Sequence, residues 1–271
     1  MRWVILFAVL ILRVPVYAQT GENARRCQEL LEKANLANEM GNYPTAGMLF
    51  DSCLISCSTG LAGIDINAGK ARALNGLHQY PEAISAAETA LQLAHNMCPA
   101  ALTERAFANF SLHKPAEAKT DYNQLESWSS KAKNPKEKAI LLAGMARLNW
   151  QTEDLPLALR QIDQAISLDP ANPAFNILSG DINGAKGRFP EAMANYDIAL
   201  AKQADPLLVA KKKAIAFTTA KQLKYQTYDA KELRIKLGIE EKKQFCNYWK
   251  PLVAAGLANE QEKLYFSFIC F

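Results

Sequence analysis

A chain of 271 residues, 49 % of them hydrophobic, is long enough for one or two packed domains. Its 13 Gly and 12 Pro lie mostly between apolar-periodic stretches, which excludes a disordered or collagenous chain. A net charge of +4 is too small for nucleic acid to be the main partner.

The chain opens on a short basic start, Met1 and Arg2, followed by an unbroken apolar run from Trp3 to Leu12. Val16, Tyr17 and Ala18 then meet the small-residue rule for a cleavage site. The segment 1–18 is therefore expected to be a secretory signal peptide cut before Gln19. The apolar run is about half the ~20 residues a spanning helix needs. Cleavage would remove Arg2 and Arg13 and lower the net charge from +4 to +2. No later segment is long and apolar enough to span a membrane, so the mature chain is expected to be exported to the periplasm or the cell exterior.

From residue 27 onward one pattern recurs. The first unit carries Ala34, Gly41, Tyr43, Ala46 and Phe50; the second carries Ala71, Tyr80, Ala83 and Ala90. Ala106, Ala118 and Tyr122 mark the third, and Ala146, Ala158, Ile162 and Ala165 the fourth, which closes on Asp169 and Pro170. In the fifth the order is Gly180, Gly187, Phe189, Ala192, Tyr196 and Ala199. The central alanine of each second helix thus stands at 46, 83, 118, 158 and 192. Small residues at a fixed step allow two antiparallel helices to nest and to dock on the next pair, and aromatics fill the remaining gaps. This pattern resembles the tetratricopeptide repeat (TPR) family. The resemblance implies an all-α, right-handed α-solenoid of about five helical hairpins (27–59, 64–98, 99–132, 139–170 and 173–206) within an array spanning 19–206. The longest step, from 118 to 158, contains Ser127 to Pro135, which reads as a lengthened second helix followed by a polar loop where the array could bend.

Beyond Leu207 the signature fades while helical character persists, so 207–271 is expected to be a helical capping region. Its candidate helices run from Leu207 to Leu223 and from Asp229 to Leu237. A final hairpin would turn at Gly256. Between Leu207 and Lys250 stand eleven basic and four acidic residues, densest at Lys211, Lys212, Lys213, Lys242 and Lys243. These make a candidate basic patch for an acidic protein, glycan or surface; the alternative is a solvated capping face. The end of the chain, Leu264 to Phe271, is strongly apolar, either core or a sticky tail.

Six cysteines in an exported chain permit disulfides. Cys246 and Cys270 would meet across the last hairpin. Cys27 faces Cys57 or Cys53 across the first, with Cys98 an alternative partner for Cys57. No metal site is expected, because His78, His95 and His113 form no ligand set with the cysteines. His78 and His113 fall at the turn inside a unit, where glycine is usual. No phosphate loop, zinc-protease motif or nucleophile elbow is present. The expectation is a protein that is not an enzyme and needs no cofactor.

TPR proteins resemble one another in lining a concave groove with the first helix of each unit. By that resemblance the groove-facing slots hold Asn35, Asn38, Asp65, Arg72, Asn75, Thr103, Phe107, Phe110, Arg147, Trp150, Asp181 and Lys211. Phe107, Phe110, Arg147 and Trp150 form its centre, since aromatics and arginine dominate interface energetics. The expected partner is a protein or an extended peptide, with an acidic glycan or surface on the basic helices as the alternative.

Overall fold

The computed structural model describes residues 16–57 and 62–271; residues 1–15, which carry most of the expected signal peptide, lie outside the described residues. Fourteen α-helices and no strand occur among the described residues. Five antiparallel hairpins come first: α1 (Val16–Glu39) with α2 (Tyr43–Cys57), α3 (Ala62–Gly76) with α4 (Tyr80–Leu93), α5 (Pro99–Ser111) with α6 (Pro115–Lys131), α7 (Pro135–Gln151) with α8 (Leu155–Leu168), and α9 (Pro173–Ala185) with α10 (Phe189–Ala201). The long α11 (Pro206–Tyr225) stacks on the last hairpin, and α12 (Ala230–Lys236), α13 (Ile239–Ala254) and α14 (Glu260–Cys270) close the array.

Helix starts and stops follow from local chemistry. Each of α4 to α11 carries proline in its first two positions, where the missing N–H is an orphan in any case and φ is already helical. Asn134 caps α7 through the Lys136 N–H, so the polar loop after α6 shrinks to residues 132–134. Inside every hairpin the chain reverses through one left-handed residue: Gly41, His78, His113, Glu153 and Gly187, with φ between 58° and 74°. In each case the next residue's N–H bonds back to a carbonyl five residues earlier, from Asn42 to Ala37 through Arg188 to Asn183, at 2.8–2.9 Å. This Schellman-type closure explains why glycine suits the slot, although histidine and glutamate occupy it three times.

The small-residue slots form the spine of the core. Ala34, Ala71, Ala106 and Ala146 on the first helices are fully buried, as are Ala46, Ala83, Ala158 and Ala192 on the second. Gly180 fills the same slot in the fifth unit: a Cβ there would stand 2.5 Å from the Tyr196 ring. Any larger residue would drive the helices apart, and overpacking a native core costs about 1–3 kcal/mol.

Two disulfides pin the ends of the array. Cys27 bonds to Cys57 across the first hairpin and Cys246 to Cys270 across the last, with Cα separations of 5.5 and 5.7 Å. Cys53 and Cys98 are free and buried, and burial pushes both thiols up. In the cap, Phe245, Trp249 and Leu252 of α13 pack with Phe217 of α11 and with Tyr265 and Ile269 of α14. The apolar tail is therefore split: Tyr265 and Ile269 are core, whereas Leu264 and Phe271 are exposed.

Candidate functional site

The superhelix curls far enough for its two ends to meet. Met40, at the end of α1, is buried in one cluster with Ile177 of α9 and Leu208 and Val209 of α11. Burying a side chain of that size contributes about 2 kcal/mol. The concave face thus becomes a cavity of about 570 Å³, lined by residues of α1, α3, α5, α7, α9 and α11. That volume falls within the range of small-ligand and peptide pockets.

Asn38, Arg72, Asn75, Phe107, Arg147, Trp150 and Asp181 all line this cavity. Phe110 does not: it is exposed and lies outside the lining. Asn35 and Asp65 are also exposed, and Thr103 turns inward to bond its own Pro99 carbonyl beside a smaller adjoining cavity. The last slot belongs to Lys212 rather than Lys211, because one helical residue turns a side chain by about 100°. Lys211 is fully buried, 3.1 Å from Glu262, and donates to the Leu257 carbonyl.

The lysine triplet is therefore not a basic face. Its three members point to the core, to the cavity and to an ion pair with Asp197, respectively. Farther along, Lys221 and Lys224 share Glu241, which also accepts from the Tyr225 hydroxyl. Burial would raise the Glu241 carboxyl, but those three donors outweigh it and hold it well below the usual carboxylate range. Lys242 is half-buried and Lys243 exposed. The charge dense at Lys211 to Lys213 is thus paired in space, whereas Lys242 and Lys243 take part in no ion pair among the described residues.

The electrostatic centre of the cavity is Glu39, a residue the repeat pattern did not single out. Arg72 donates to its carboxylate, and the Arg147 guanidinium lies 3.8 Å from the same oxygen. Burial alone would raise the Glu39 carboxyl; Arg72, Arg147 and Lys212 overcome it and hold the group ionised far below its ordinary range. Arg72 is shifted the other way, its charge secured by Glu39 against the opposing effect of burial. Arg147 is lowered, first by repulsion from Arg72 and then by burial. On the far wall Asp181 accepts from Tyr196 and Lys212 at 2.8 and 2.7 Å. Glu39 and Gln151 share one slot, seven residues before the central alanine, and scoring that slot alongside its neighbours would have found both.

Three hydrogen-bond acceptors in this lining have no donor among the described residues: Asn38 Oδ1, Asn75 Oδ1 and Gln151 Oε1. The two asparagines cannot turn to satisfy them. Asn38 Nδ2 is committed to the Gly69 carbonyl, and Asn75 Nδ2 to both the carbonyl and the carboxylate of Glu104. These three oxygens are buried within the wall and closed to solvent, whereas the partly exposed Arg147 guanidinium offers donors for a carbonyl or carboxylate. No cluster of three His, Cys, Asp or Glu able to hold a metal occurs among the described residues.

No family model matches the chain. No curated protein matches it either. Among solved structures it is similar to a TPR protein of Thermus thermophilus, at 20 % identity over 71 % of this chain and 99 % of that one, with a TM-score of 0.46. It is also similar to the TPR2AB domain of yeast Sti1 in a complex with pHSP90 (13 % identity, 92 % and 100 % covered, TM-score 0.34). A third is the human IFIT1 dimer with m7Gppp-AAAA (12 %, 85 % and 55 %, TM-score 0.46). The fold is an all-α solenoid of helical hairpins. Its resemblance to the TPR pattern rests on the chain's own five hairpins, with their buried small slots and left-handed turns in one register. No helix among the described residues is long and apolar enough to cross a membrane.

Proposed function

We propose that this TPR array is an exported, non-enzymatic interaction scaffold of the periplasm or cell envelope that takes an extended peptide segment of a partner into its concave cavity. The observation that carries this reading is the concave cavity of about 570 Å³, in which Arg147 with spare N–H groups stands together with Phe107 and Trp150. A backbone carbonyl or side-chain carboxylate of the segment can accept from Arg147, which is partly exposed to the cavity. Phe107 and Trp150 supply apolar surface for the segment's side chains.

Charge argues for a peptide over nucleic acid. Arg72, Arg147 and Lys212 in the lining are opposed by Glu39 and Asp181, with Glu104 immediately behind Asn75. A phosphate backbone would need a net basic track. Export is supported by the apolar run from Trp3 to Leu12 and by two disulfides, which persist in oxidising compartments.

The test is a displayed peptide library selected on the mature chain, followed by titration of the selected peptides against Phe107→Ala/Trp150→Ala and Arg147→Met variants. Affinity should fall about tenfold or more in each. Peptides that bind the variants as well as the wild type would place the binding outside this cavity. N-terminal sequencing of the native protein should begin at Gln19, and an intact Met1 would refute export by cleavage.

A further inference from the structure

The helix α6 is 17 residues long, against 13 to 15 for the other second helices of the hairpins. Its extra turn overhangs the start of α5 and the start of α7. Beneath the overhang lies a hollow of about 810 Å³ with an apolar floor: Met97, Pro99, Trp128, Ile140 and Leu141. Met97 and Ile140 are 72 % and 54 % exposed, so this surface is uncovered. The rim is basic. Lys131, Lys133 and Lys136 are all exposed, and none takes part in an ion pair among the described residues. Glu137 is the single acid among them. The contrast with the triplet at 211–213 is physical: those lysines found carboxylates, and these did not.

We propose that this hollow docks an acidic peptide segment of a partner through one apolar anchor side chain. The floor selects the anchor, because covering the exposed methionine and isoleucine and the half-buried tryptophan releases water from apolar surface. The rim selects the sign of the flanking charges and steers their approach, an effect that salt screens. A smaller cavity of about 210 Å³ lies between the hollow and the concave one and shares lining residues with each: Pro99 and Ile140 with the hollow, and Arg147, Ala174 and Leu178 with the concave one. Ile140, Gly144, Arg147 and Trp150 form one face of α7 along this line. A segment anchored at the hollow is thereby aimed at the cavity, but the docking rests on the hollow's own residues.

The experiment uses the mature chain and a fluorescein-labelled 12-residue peptide of Glu, Asp and Ser with one central Phe, read by anisotropy at low and high salt. Binding should weaken about tenfold when that Phe is replaced by Ser, and again in a Lys131→Glu/Lys133→Glu/Lys136→Glu protein. Met97→Ser, which leaves the charge of the rim unchanged, should do the same. Lys242→Glu/Lys243→Glu should change it by less than about twofold. Equal loss in the Lys242 and Lys243 variant, equal binding of the Phe-less peptide, or equal binding of anionic vesicles would reduce the effect to charge alone and overturn the proposal. If Arg147→Met abolished binding while the hollow variants did not, the acidic peptide would belong to the concave cavity; the proposal would fall while the scaffold reading stood.

Discussion

The two ends of this array and its middle are held together by different means. In the middle, each hairpin has a neighbour on both sides, and alanine or glycine at every contact lets helices nest closely. At the ends one neighbour is missing, as in any stacked repeat. There a covalent bond substitutes: Cys27–Cys57 in the first hairpin and Cys246–Cys270 in the last. The middle hairpins have no disulfide among the described residues; Cys98 there remains a free, buried thiol. Cross-links thus stand where nearest-neighbour packing is incomplete, and packing suffices elsewhere.

The sharpest way to break that contrast is to reduce the end of the array. The Cys246–Cys270 bridge closes a loop with a sequence separation of 24, for which chain entropy gives about 3 kcal/mol. A Cys246→Ala/Cys270→Ala protein should lose hydrogen-exchange protection in α13 and α14 while α5 to α8 keep theirs. Uniform loss along the chain would show that ends and middle unfold as one unit.

A smaller effect is expected where the ends are joined through the cavity. Glu39→Gln would leave Arg72 and Arg147 facing each other without their shared carboxylate. Because all three side chains remain partly exposed, the loss should be about 2 kcal/mol rather than the full value for a buried pair. The folded Glu39 carboxyl titrates below its ordinary value near 4.5. Its stabilisation is therefore complete at neutral pH and is lost as pH falls from about 4.5 toward the folded value. Denaturant titrations of wild type and variant should converge in acid; a difference that stays constant below pH 4 would show that Glu39 is not ionised against the arginines.

The smallest change concerns one turn of the middle. Glu153 sits at φ 70° in a slot where Gly41 and Gly187 serve the first and fifth hairpins. Glu153→Gly should stabilise the chain by about 0.5–1 kcal/mol, seen as a higher denaturation midpoint. A lower midpoint would mean that the side chain contributes more than its backbone strain costs.

Much of the fold is legible in the sequence because its determinants are local. Small residues recur at one helical spacing, proline opens the helices, and the turn residues at 41, 78, 113, 153 and 187 keep the step of the central alanines. Each of these acts within one hairpin, so reading it needs no knowledge of the distant chain. The cavity is legible only in part. Arg72, Phe107, Arg147 and Asp181 stand eleven residues before their central alanines and share a face, whereas Phe110 and Lys211 were each assigned to the cavity and lie elsewhere.

What the sequence by itself determined is the unit: two helices, a left-handed turn, and a spine too small to hold the helices apart. What the tertiary structure alone decided is the closure. Only when the superhelix brings the end of α1 against α9 and α11 does Glu39 reach Arg147, and only then does Lys212 rather than Lys211 face the cavity. The physical reason is that curvature accumulates over many interfaces. A rotation of one residue changes which side chain points inward, and no local pattern records that sum.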